Sequence, residues 1–360
     1  MRLLWAAALV LPVVGAQAAV VFTTLYSFTG GNDGANPEAA LVQGSDGNFY
    51  GTTSGGGAYT NQYGQGLGTV FKISTNGALA SLYSFTGTND GATPYAGLVQ
   101  GSDGNFYGTT ESGGAHTNQY GQGLGTVFKI SANGAFTSLY SFTGGNDGEY
   151  PYAGLVQGSD GSFYGTTEYG GTNGYGTVFK ISAKGAYTHL YSFGGNDGAN
   201  PEAALVQGSD GYFYGTTRGG GSYGPYGGGT VFRITTTGAL STLYSFTGGN
   251  DGAQPFAGLV QGSDGNFYGT TAYGGQGGAG TVFKLTVVPE FQAVTIINHT
   301  LSLTWSTEAG GTYQLQYNSD FRSSNWTDLG SAVTAAGATL SATDSVTNAP
   351  QRFYRLVISP

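Results

Sequence analysis

The sequence predicts an all-β protein in which a five-bladed β-propeller, closed by its N-terminal strand, is followed by a small β-sandwich. The first sign is an internal repeat, because the phrase Leu-Tyr-Ser-Phe returns every 51 to 57 residues, beginning at Leu25, Leu82, Leu139, Leu190 and Leu243. That period is close to one four-stranded propeller blade. The second sign is composition. The chain has 68 glycines, yet 14% of its residues are aromatic, and disordered chains are poor in aromatic residues. Short strands joined by glycine turns fit both observations.

The chain begins with a segment typical of a secretory signal peptide, residues 1–18. Arg2 precedes an apolar run over residues 3–14, and Ala16-Gln17-Ala18 fits a small-x-small cleavage site. The apolar run is too short to cross a bilayer, which takes about 20 residues. We therefore expect an exported protein that is secreted, at the cell surface or periplasmic, with no membrane span after the signal is removed.

Charge and cysteine content narrow the expected partners. The chain has 20 acidic against 11 basic residues, a net charge of −9, and no cysteine. A nucleic-acid partner is disfavoured, because phosphate binding depends on concentrated Lys and Arg. An exported chain without cysteine has no disulfides, so its stability must come from burial of apolar surface.

Each repeat unit contains four strand-like segments, which in the first unit are residues 39–43, 48–53, 69–73 and 79–85. The first two segments flank Asp46-Gly47 and the last two flank Asn76-Gly77, and both dipeptides are strong hairpin signals. The fourth segment has apolar side chains on both faces, as a strand has when it lies between neighbouring blades.

The ends of the repeat region predict a closed ring over residues 19–288. A lone strand, residues 22–28, precedes the first unit, and the last unit supplies only the segments 257–261, 266–271 and 281–287. Pairing the lone strand with the last unit completes the fifth blade and removes an open sheet edge. An open β-solenoid, which would leave that strand unpaired, is the alternative.

Residues 289–360 depart from the repeat and predict a separate module. Alternate residues are apolar in 301–305 and in 313–317, as in strands with one buried side. With segments 294–297, 338–342 and 353–358 they predict an antiparallel sandwich that resembles a fibronectin type III module without a disulfide.

Three stretches of the first unit recur in all five units. They are Tyr-Ser-Phe-Thr-Gly-Gly-Asn-Asp-Gly-Ala (26–35), Leu-Val-Gln-Gly-Ser-Asp-Gly-Asn-Phe-Tyr-Gly-Thr-Thr (41–53) and Gly-Thr-Val-Phe-Lys-Ile (68–73). This pattern resembles the GloVer tandem repeat of exported bacterial proteins. The resemblance implies a secreted or surface protein, and it brings no established enzymatic activity.

Three repeated charged positions have structural explanations. We expect the hairpin aspartates to cap their own turns: Asp46, Asp103, Asp160, Asp210 and Asp264. A second set of aspartates lies in the loops that enter each blade: Asp33, Asp90, Asp147, Asp197 and Asp251. An Asx-type turn is expected there. Calcium binding is the alternative, but each loop offers one carboxylate and calcium takes 6–8 oxygen ligands. The cations of the third strand are expected to pair with the turn aspartates, with a functional cationic ring as the alternative: Lys72, Lys129, Lys180, Arg233 and Lys284.

The position after each loop proline breaks the repeat and is the main candidate site. A proline fixes φ and so directs the next residue in the same way in every unit, and these residues are Glu38, Tyr95, Tyr152, Glu202 and Phe256. If the first strand is innermost, they surround one mouth of the central channel. Two carboxylates and three aromatic rings could bind a sugar or a peptide. Glu38 and Glu202 could also act as the acid and base of a glycosidase. Simple packing beneath the loops is the structural alternative.

The long loops between the second and third strands are expected on the same side of the molecule. They carry side chains typical of adaptable binding surfaces, including Tyr59, His116, Tyr175 and Tyr226. No catalytic, metal or cofactor motif stands out, so no cofactor is expected. The leading hypothesis is a non-enzymatic exported protein that binds a glycan or an extracellular or periplasmic protein. A secreted carbohydrate-active enzyme and a structural adhesive protein are the alternatives.

Overall fold

The computed structural model describes residues 21–287, 291–307, 311–320, 322, 325–337, 339–347 and 351–359, and within them every regular element is a β-strand. The predicted signal peptide, residues 1–18, lies outside the described residues. Over the described ranges no helix is long and apolar enough to cross a membrane.

Four of the five repeat units form four-stranded antiparallel sheets in chain order. Their strands are β1 Val42–Gln43, β2 Phe49–Thr53, β3 Thr69–Ile73 and β4 Leu79–Ser84; β5 Val99–Gln100, β6 Phe106–Thr110, β7 Thr126–Ile130 and β8 Phe136–Ser141; β9 Val156–Gln157, β10 Phe163–Thr167, β11 Thr177–Ile181 and β12 Tyr187–Ser192; β13 Val206–Gln207, β14 Phe213–Thr217, β15 Thr230–Ile234 and β16 Leu240–Ser245. The fifth unit has three strands, β17 Val260–Gln261, β18 Phe267–Thr271 and β19 Thr281–Leu285.

The hairpins follow from the turn residues. In the first unit, Gly47 adopts φ 81°, a conformation that glycine takes without strain. The Asp46 carboxylate accepts a hydrogen bond from the Asn48 backbone N–H at 3.1 Å and another from the Tyr50 hydroxyl at 2.8 Å. The predicted capping role of the turn aspartate is therefore observed, and the carboxylate also ties the turn to β2.

Neighbouring repeat sheets meet through one interface that occurs four times, here called the inter-sheet interface. A tyrosine of one sheet stacks on a phenylalanine of the next at 3.9 to 4.0 Å between ring centroids, as Tyr50–Phe106, Tyr107–Phe163, Tyr164–Phe213 and Tyr214–Phe267. The side-chain oxygen of a glutamine accepts a hydrogen bond from the backbone N–H of a turn serine in the preceding sheet. Gln100 accepts this bond from Ser45 at 3.1 Å. The buried Thr52 hydroxyl donates to the Ala96 carbonyl at 2.9 Å. The core of the repeat region thus lies between sheets.

The predicted pairing of residues 22–28 with the last unit is not formed between these described residues. Residues 22–28 contain no strand, and the sheet of the fifth unit ends at β19. Val282 on β19 is 81% exposed, whereas the equivalent Val231 is 1% exposed. At the other end Leu41 is 50% exposed against 8% for Leu98. Each terminal sheet lacks the neighbour that covers the interior sheets, so the ring closure predicted from the sequence is not observed between the described residues and stays a prediction.

The C-terminal residues form two further sheets around a separate core. One has the order β20 Phe291–Ile297, β21 Thr300–Ser306 and β25 Thr339–Ser345, and the other places β22 Thr312–Asn318 among β23 Thr327–Asp328, β24 Val333–Thr334 and β26 Phe353–Ser359. The alternating residues predicted to face inward are buried: Leu301, Leu303, Trp305, Tyr313 and Leu315. Tyr317 is half-buried, with the Arg352 guanidinium 4.5 Å from its ring centroid.

Candidate functional site

The loop prolines follow residues held in an unusual backbone conformation. Each residue that precedes a proline has a positive φ of 51° to 57°, although none is a glycine: Asn36, Thr93, Tyr150, Asn200 and Gln254. Such a conformation is disfavoured for side chains with a Cβ and persists where the surrounding structure determines it. Its repetition in every unit fixes the direction in which the residue after the proline leaves the backbone.

Backbone hydrogen bonds attach a second variable position to this turn. The carbonyl of Thr93 accepts the N–H of Glu111 at 3.1 Å, and the carbonyl of Asn200 accepts the N–H of Arg218 at 3.0 Å. The same bond occurs in all five units, so the residue that follows Gly-Thr-Thr on the second strand always lies beside the proline turn. These residues are Ser54, Glu111, Glu168, Arg218 and Ala272.

Two of the five post-proline residues form a stacked aromatic pair. The rings of Tyr95 and Tyr152 lie 4.8 Å apart at an interplanar angle of 15°. Tyr152 is 36% exposed, so the pair presents ring surface to solvent. Burial, followed by the Glu111 and Glu38 carboxylates, raises the pKa of Tyr95. These charges place the tyrosine pair among carboxylates that come from both variable positions.

A second group of side chains surrounds Arg218, which lies beside Glu202, Glu168 and Phe256. Its Nη1 lies 2.8 Å from Glu202 Oε1 and 4.0 Å from Glu168 Oε1. The ring of Phe256 lies 5.9 Å from the guanidinium carbon. Glu202 and Glu168 are largely buried, with 13% and 12% of their side chains exposed. Burial and the Glu168 charge raise the pKa of Glu202 to about 7, against the opposing effect of Arg218.

A cleft of about 900 Å³ opens beside these residues. Glu111 and Glu168 lie on its wall together with Tyr150 and Tyr169, and the loop residues Asn61, Gln62, Tyr63 and Gln122 line its other side. Burial raises the pKa of Glu111, and the Glu168 charge acts in the same direction. Thr93 Oγ1 donates a hydrogen bond to Glu111 Oε2 at 3.3 Å. The cleft therefore combines carboxylate, amide and phenol groups.

The remaining predicted site residues are distributed differently. Glu38 is exposed, and so are Tyr59, His116 and Tyr226, the last with 96% of its surface accessible. Tyr175 is half-buried and packs against the core between the third and fourth sheets, which agrees with a packing role. The post-proline residues lie near one another, since the charges of Glu38 and Glu202 act on Tyr152 and Phe256 lies beside Arg218.

The second variable position was missed by reasoning from the sequence. Its signal was present, because the residue after Gly-Thr-Thr changes from unit to unit while the residues before it do not. The hydrogen bond that places Glu111 or Glu168 beside the proline turn connects residues that are 18 positions apart in the chain. No local sequence pattern indicates such a bond. Both variable positions together, and not the post-proline position alone, build the mouth.

The entry-loop aspartates and three of the five third-strand cations have the structural partners that were expected. In the entry loop, Asp33 accepts the Tyr26 hydroxyl at 2.9 Å and the Thr29 N–H at 2.8 Å. Ion pairs join the third strand to the turn aspartate as Lys180–Asp160 at 2.7 Å, Lys284–Asp264 at 3.3 Å and Lys72–Asp46 at 3.6 Å. Within the described ranges no group of three or more His, Asp or Glu could hold a metal ion.

Comparison with solved structures gives distant likenesses. A candidate 6-phosphogluconolactonase from Bacteroides uniformis ATCC 8492 has a TM-score of 0.44 and 13% identity, covering 86% of this chain and 89% of that one. An exo-β-1,3-galactanase from Phanerochaete chrysosporium has a TM-score of 0.40 and 10% identity, covering 91% and 96%. A gluconolactonase from Xanthomonas campestris has a TM-score of 0.37 and 12% identity, covering 72% and 88%. Likeness at this level carries no information about activity.

Comparison by sequence is more specific. No functionally curated protein matches the chain. The family model of the Gloeobacter/Verrucomicrobia repeat matches two overlapping regions, residues 14–157 and 117–318. Together these regions include all five repeat units and most of the chain. The resemblance inferred from the three recurring stretches is confirmed, and the chain belongs to the Gloeobacter/Verrucomicrobia repeat family.

Proposed function

We propose that the protein is an exported binding protein that takes a carbohydrate at the two variable positions and in the adjoining cleft, whose wall carries Glu111 and Glu168. The observation that carries this proposal is the stacked, partly exposed pair Tyr95–Tyr152 among carboxylates. Sugar rings have apolar C–H faces that pack on aromatic rings and hydroxyl groups that hydrogen-bond to carboxylates and amides. Apolar ring surface with a few convergent polar groups is the usual composition of a small-molecule site.

The cleft supports the same ligand class. Its volume of about 900 Å³ falls within the range of roughly 300–1,000 Å³ that is common for ligand sites. Gln62 and Gln122 place side-chain amide groups on its wall, whereas the Asn61 amide hydrogen-bonds within its own loop to Tyr63 and Gln65. A chain of hydroxyl groups, as in an oligosaccharide, matches such a lining better than an apolar ligand would.

The proposal also covers how the chain is divided into domains. We take the five repeat units as the blades of one β-propeller that extends from about residue 19 to residue 288, and residues 289–360 as a fibronectin type III-like module. The repeated inter-sheet interface and the two-sheet arrangement of the C-terminal strands support this division. In this arrangement the mouth lies at the loop end of the central channel, where strand ends from several blades converge.

A glycan array tests the binding proposal. The mature protein should bind a defined group of glycans, and Tyr95→Ala and Tyr152→Ala should each reduce that binding at least tenfold, since each removes half of the stacked pair. Tyr223→Ala is the matched control, because Tyr223 is a 69% exposed tyrosine that does not line the cleft, and it should bind like the wild type. Absence of glycan binding by the wild type, or equal loss in the control, would refute the proposal.

A glycoside hydrolase is the second candidate, and one observation favours it. Glu202 and Glu168 both approach the same Arg218 nitrogen, at 2.8 and 4.0 Å, and Glu168 also hydrogen-bonds to Glu202, so the two carboxyl groups form a close pair. Glycosidases use a pair of carboxyl groups, one of which has a raised pKa and acts as the acid. The partner of Glu202 is then Glu168 and not the exposed Glu38. Release of nitrophenol from aryl glycosides by the wild type, lost in Glu202→Gln, would support hydrolysis.

A further inference from the structure

The strand β20 forms one edge of a sheet in the C-terminal module. It pairs with β21 along one side, and the order β20-β21-β25 places no described strand along its other side. An edge strand presents a row of backbone N–H and C=O groups with which a further strand can pair. The outer side of β20 is therefore a surface that can take another strand.

The sequence of β20 contains none of the residues that protect an edge from such pairing. It reads Phe-Gln-Ala-Val-Thr-Ile-Ile, with no charge, no proline and no glycine. The edge strands β25 and β26 carry Asp344 and Arg355, and charges of this kind discourage edge pairing. A register shift between Phe291 and Ala293 affects only the start of β20. Residues 293–297 thus form a regular, uncharged edge.

The side chains of β20 that face the core are left uncovered. Val294 lies opposite Leu303 and Ile296 lies opposite Leu301, and opposite residues of paired strands share one face of the sheet. The two leucines are 3% and 5% exposed, whereas Val294 is 60% and Ile296 is 65% exposed. An apolar groove of about 550 Å³ opens between these side chains and β26. The core is therefore incomplete at this edge.

The turn after β20 determines which backbone groups point outward. A two-residue turn, in which both residues have a positive φ, joins Ile297 to Thr300. The pair that closes such a turn exchanges its hydrogen bonds, and the direction of the backbone groups alternates from residue to residue. Ile297 and Thr295 therefore turn their N–H and C=O groups towards β21. The corresponding groups of Val294 and Ile296 point to the free edge.

We propose that β20 pairs with β20 of a second copy of the chain, antiparallel and with Thr295 on the twofold axis. Val294 of each copy then exchanges backbone hydrogen bonds with Ile296 of the other, and the two Thr295 residues lie directly opposite each other. A twofold contact requires a surface that is complementary to itself. This register meets the requirement, because β-branched apolar side chains meet on the core face, and such cross-strand pairs stabilise a sheet.

The charge distribution favours a second copy as the occupant. Two copies of a chain with a net charge of −9 repel each other, and β20 is an edge on which no charged side chain lies. Two copies can therefore meet there without bringing like charges into contact. A strand of another protein would need the same uncharged, β-branched pattern, which this chain itself supplies. The inference does not depend on the proposed ligand.

Sedimentation of the full mature chain over a range of concentrations tests the pairing. The wild type should pass reversibly from monomer to dimer. Thr295→Lys brings two ammonium groups opposite each other and should weaken dimerisation at least about fivefold. Thr343→Lys is the matched control, at an exposed threonine of β25 on the other edge of the same sheet. A wild type that stays monomeric, or a Thr295→Lys variant that dimerises no more weakly than Thr343→Lys, overturns the proposal.

A disulfide tests the position of the axis, because the natural chain contains no cysteine. Opposite residues that do not exchange hydrogen bonds lie about 4.5 Å apart at Cα, which a disulfide can span. With oxidised glutathione as the oxidant, Thr295→Cys should form a covalent dimer in high yield, whereas Thr343→Cys should stay largely monomeric. A Thr295→Cys yield no higher than that of Thr343→Cys would contradict this register.

Discussion

Single side chains that depart from the repeat determine the chemistry of the mouth. The scaffold places the residue after each proline and the residue after each Gly-Thr-Thr side by side, and the side chains at these positions differ between units. The pairing of Glu202 with Arg218 illustrates the effect, because a cation in one unit meets carboxylates from its own unit and from the preceding one. A residue substitution at either position therefore changes the mouth without changing the sheets.

Glu202 should make stability depend on pH in a defined window. An unfolded glutamate loses its proton near its ordinary pKa of 4.5, whereas Glu202 in the folded protein has a pKa of about 7. Between these values the folded state binds more protons, so the contribution of Glu202 to the free energy of unfolding is present below pH 4.5 and is lost as the pH rises towards 7. Glu202→Gln removes this titration. Urea unfolding across the window should show a smaller pH dependence for the variant than for the wild type.

The exposed Glu38 supplies the control for that measurement. Glu38→Gln removes one carboxylate from an exposed position and leaves Glu202, Glu168 and Arg218 in place, so it controls for the loss of one negative charge. Parallel profiles for Glu202→Gln and the wild type would show that the raised pKa of Glu202 does not contribute to folding.

The backbone before each proline offers a second prediction at this scale. Gln254 has φ 55°, where a side chain costs about 1–2 kcal/mol and a β-branched one more. Gln254→Val should therefore unfold at a lower temperature than Gln254→Gly, by an amount that corresponds to at least about 1 kcal/mol. Thermal unfolding of the two variants side by side measures this difference, and equal midpoints would mean that the backbone relaxes at this turn.

At the scale of the elements, the hairpins were predictable and the inner strand was not. Asp-Gly and Asn-Gly specify their turns locally, and the observed strands β2, β3 and β4 match the predicted segments to within about two residues. The first strand was predicted over residues 39–43 but contains only Val42–Gln43. In the second unit the carbonyl of Ala96, which precedes the same short strand, accepts the Thr52 hydroxyl of the neighbouring sheet. A contact between sheets occupies this backbone group, and the sequence of one unit cannot show it.

The turn aspartate should stabilise its hairpin through hydrogen bonds as well as through its charge. Asp160 accepts the Tyr164 hydroxyl at 2.8 Å and the Ser162 N–H at 3.0 Å, and it pairs with Lys180 at 2.7 Å. Asp160→Ala leaves these donors without their acceptor and should lower the free energy of unfolding by about 1–3 kcal/mol. Asp160→Asn keeps an acceptor of the same shape and should cost less. Chemical denaturation would contradict the prediction if the two variants lost equal stability.

At the scale of the whole molecule, the repeat was readable from the sequence, whereas the closed ring predicted with it is not observed between the described residues. Five copies of one phrase identify the units, and the family match confirms them. Whether the two ends meet depends on a small rotation between successive sheets, accumulated over all units, and no residue pattern encodes that sum. The candidate site is difficult to predict for a similar reason, because Glu168 and Arg218 belong to successive units and meet only when the sheets of those units pack together.

Export is a prediction about the whole chain. A bacterial host with a general secretory pathway should deliver the protein outside the cytoplasm with cleavage after Ala18, because a basic residue, a short apolar run and small residues precede that bond. The intact mass of the purified protein measures the cleavage site. A variant with Ala16→Leu and Ala18→Leu should keep its leader. Recovery of the wild-type chain in the cytoplasm with residues 1–18 still attached would contradict the prediction.

The sameness of the inter-sheet interface has a consequence for how such a chain can evolve. Because every interface uses the same tyrosine, phenylalanine, glutamine and threonine, duplication or loss of one unit joins surfaces that already fit. A lineage can therefore gain or lose blades by recombination without first inventing a new contact. Selection for a new ligand then acts on two side chains per unit, at positions that the duplicated interface leaves free to vary.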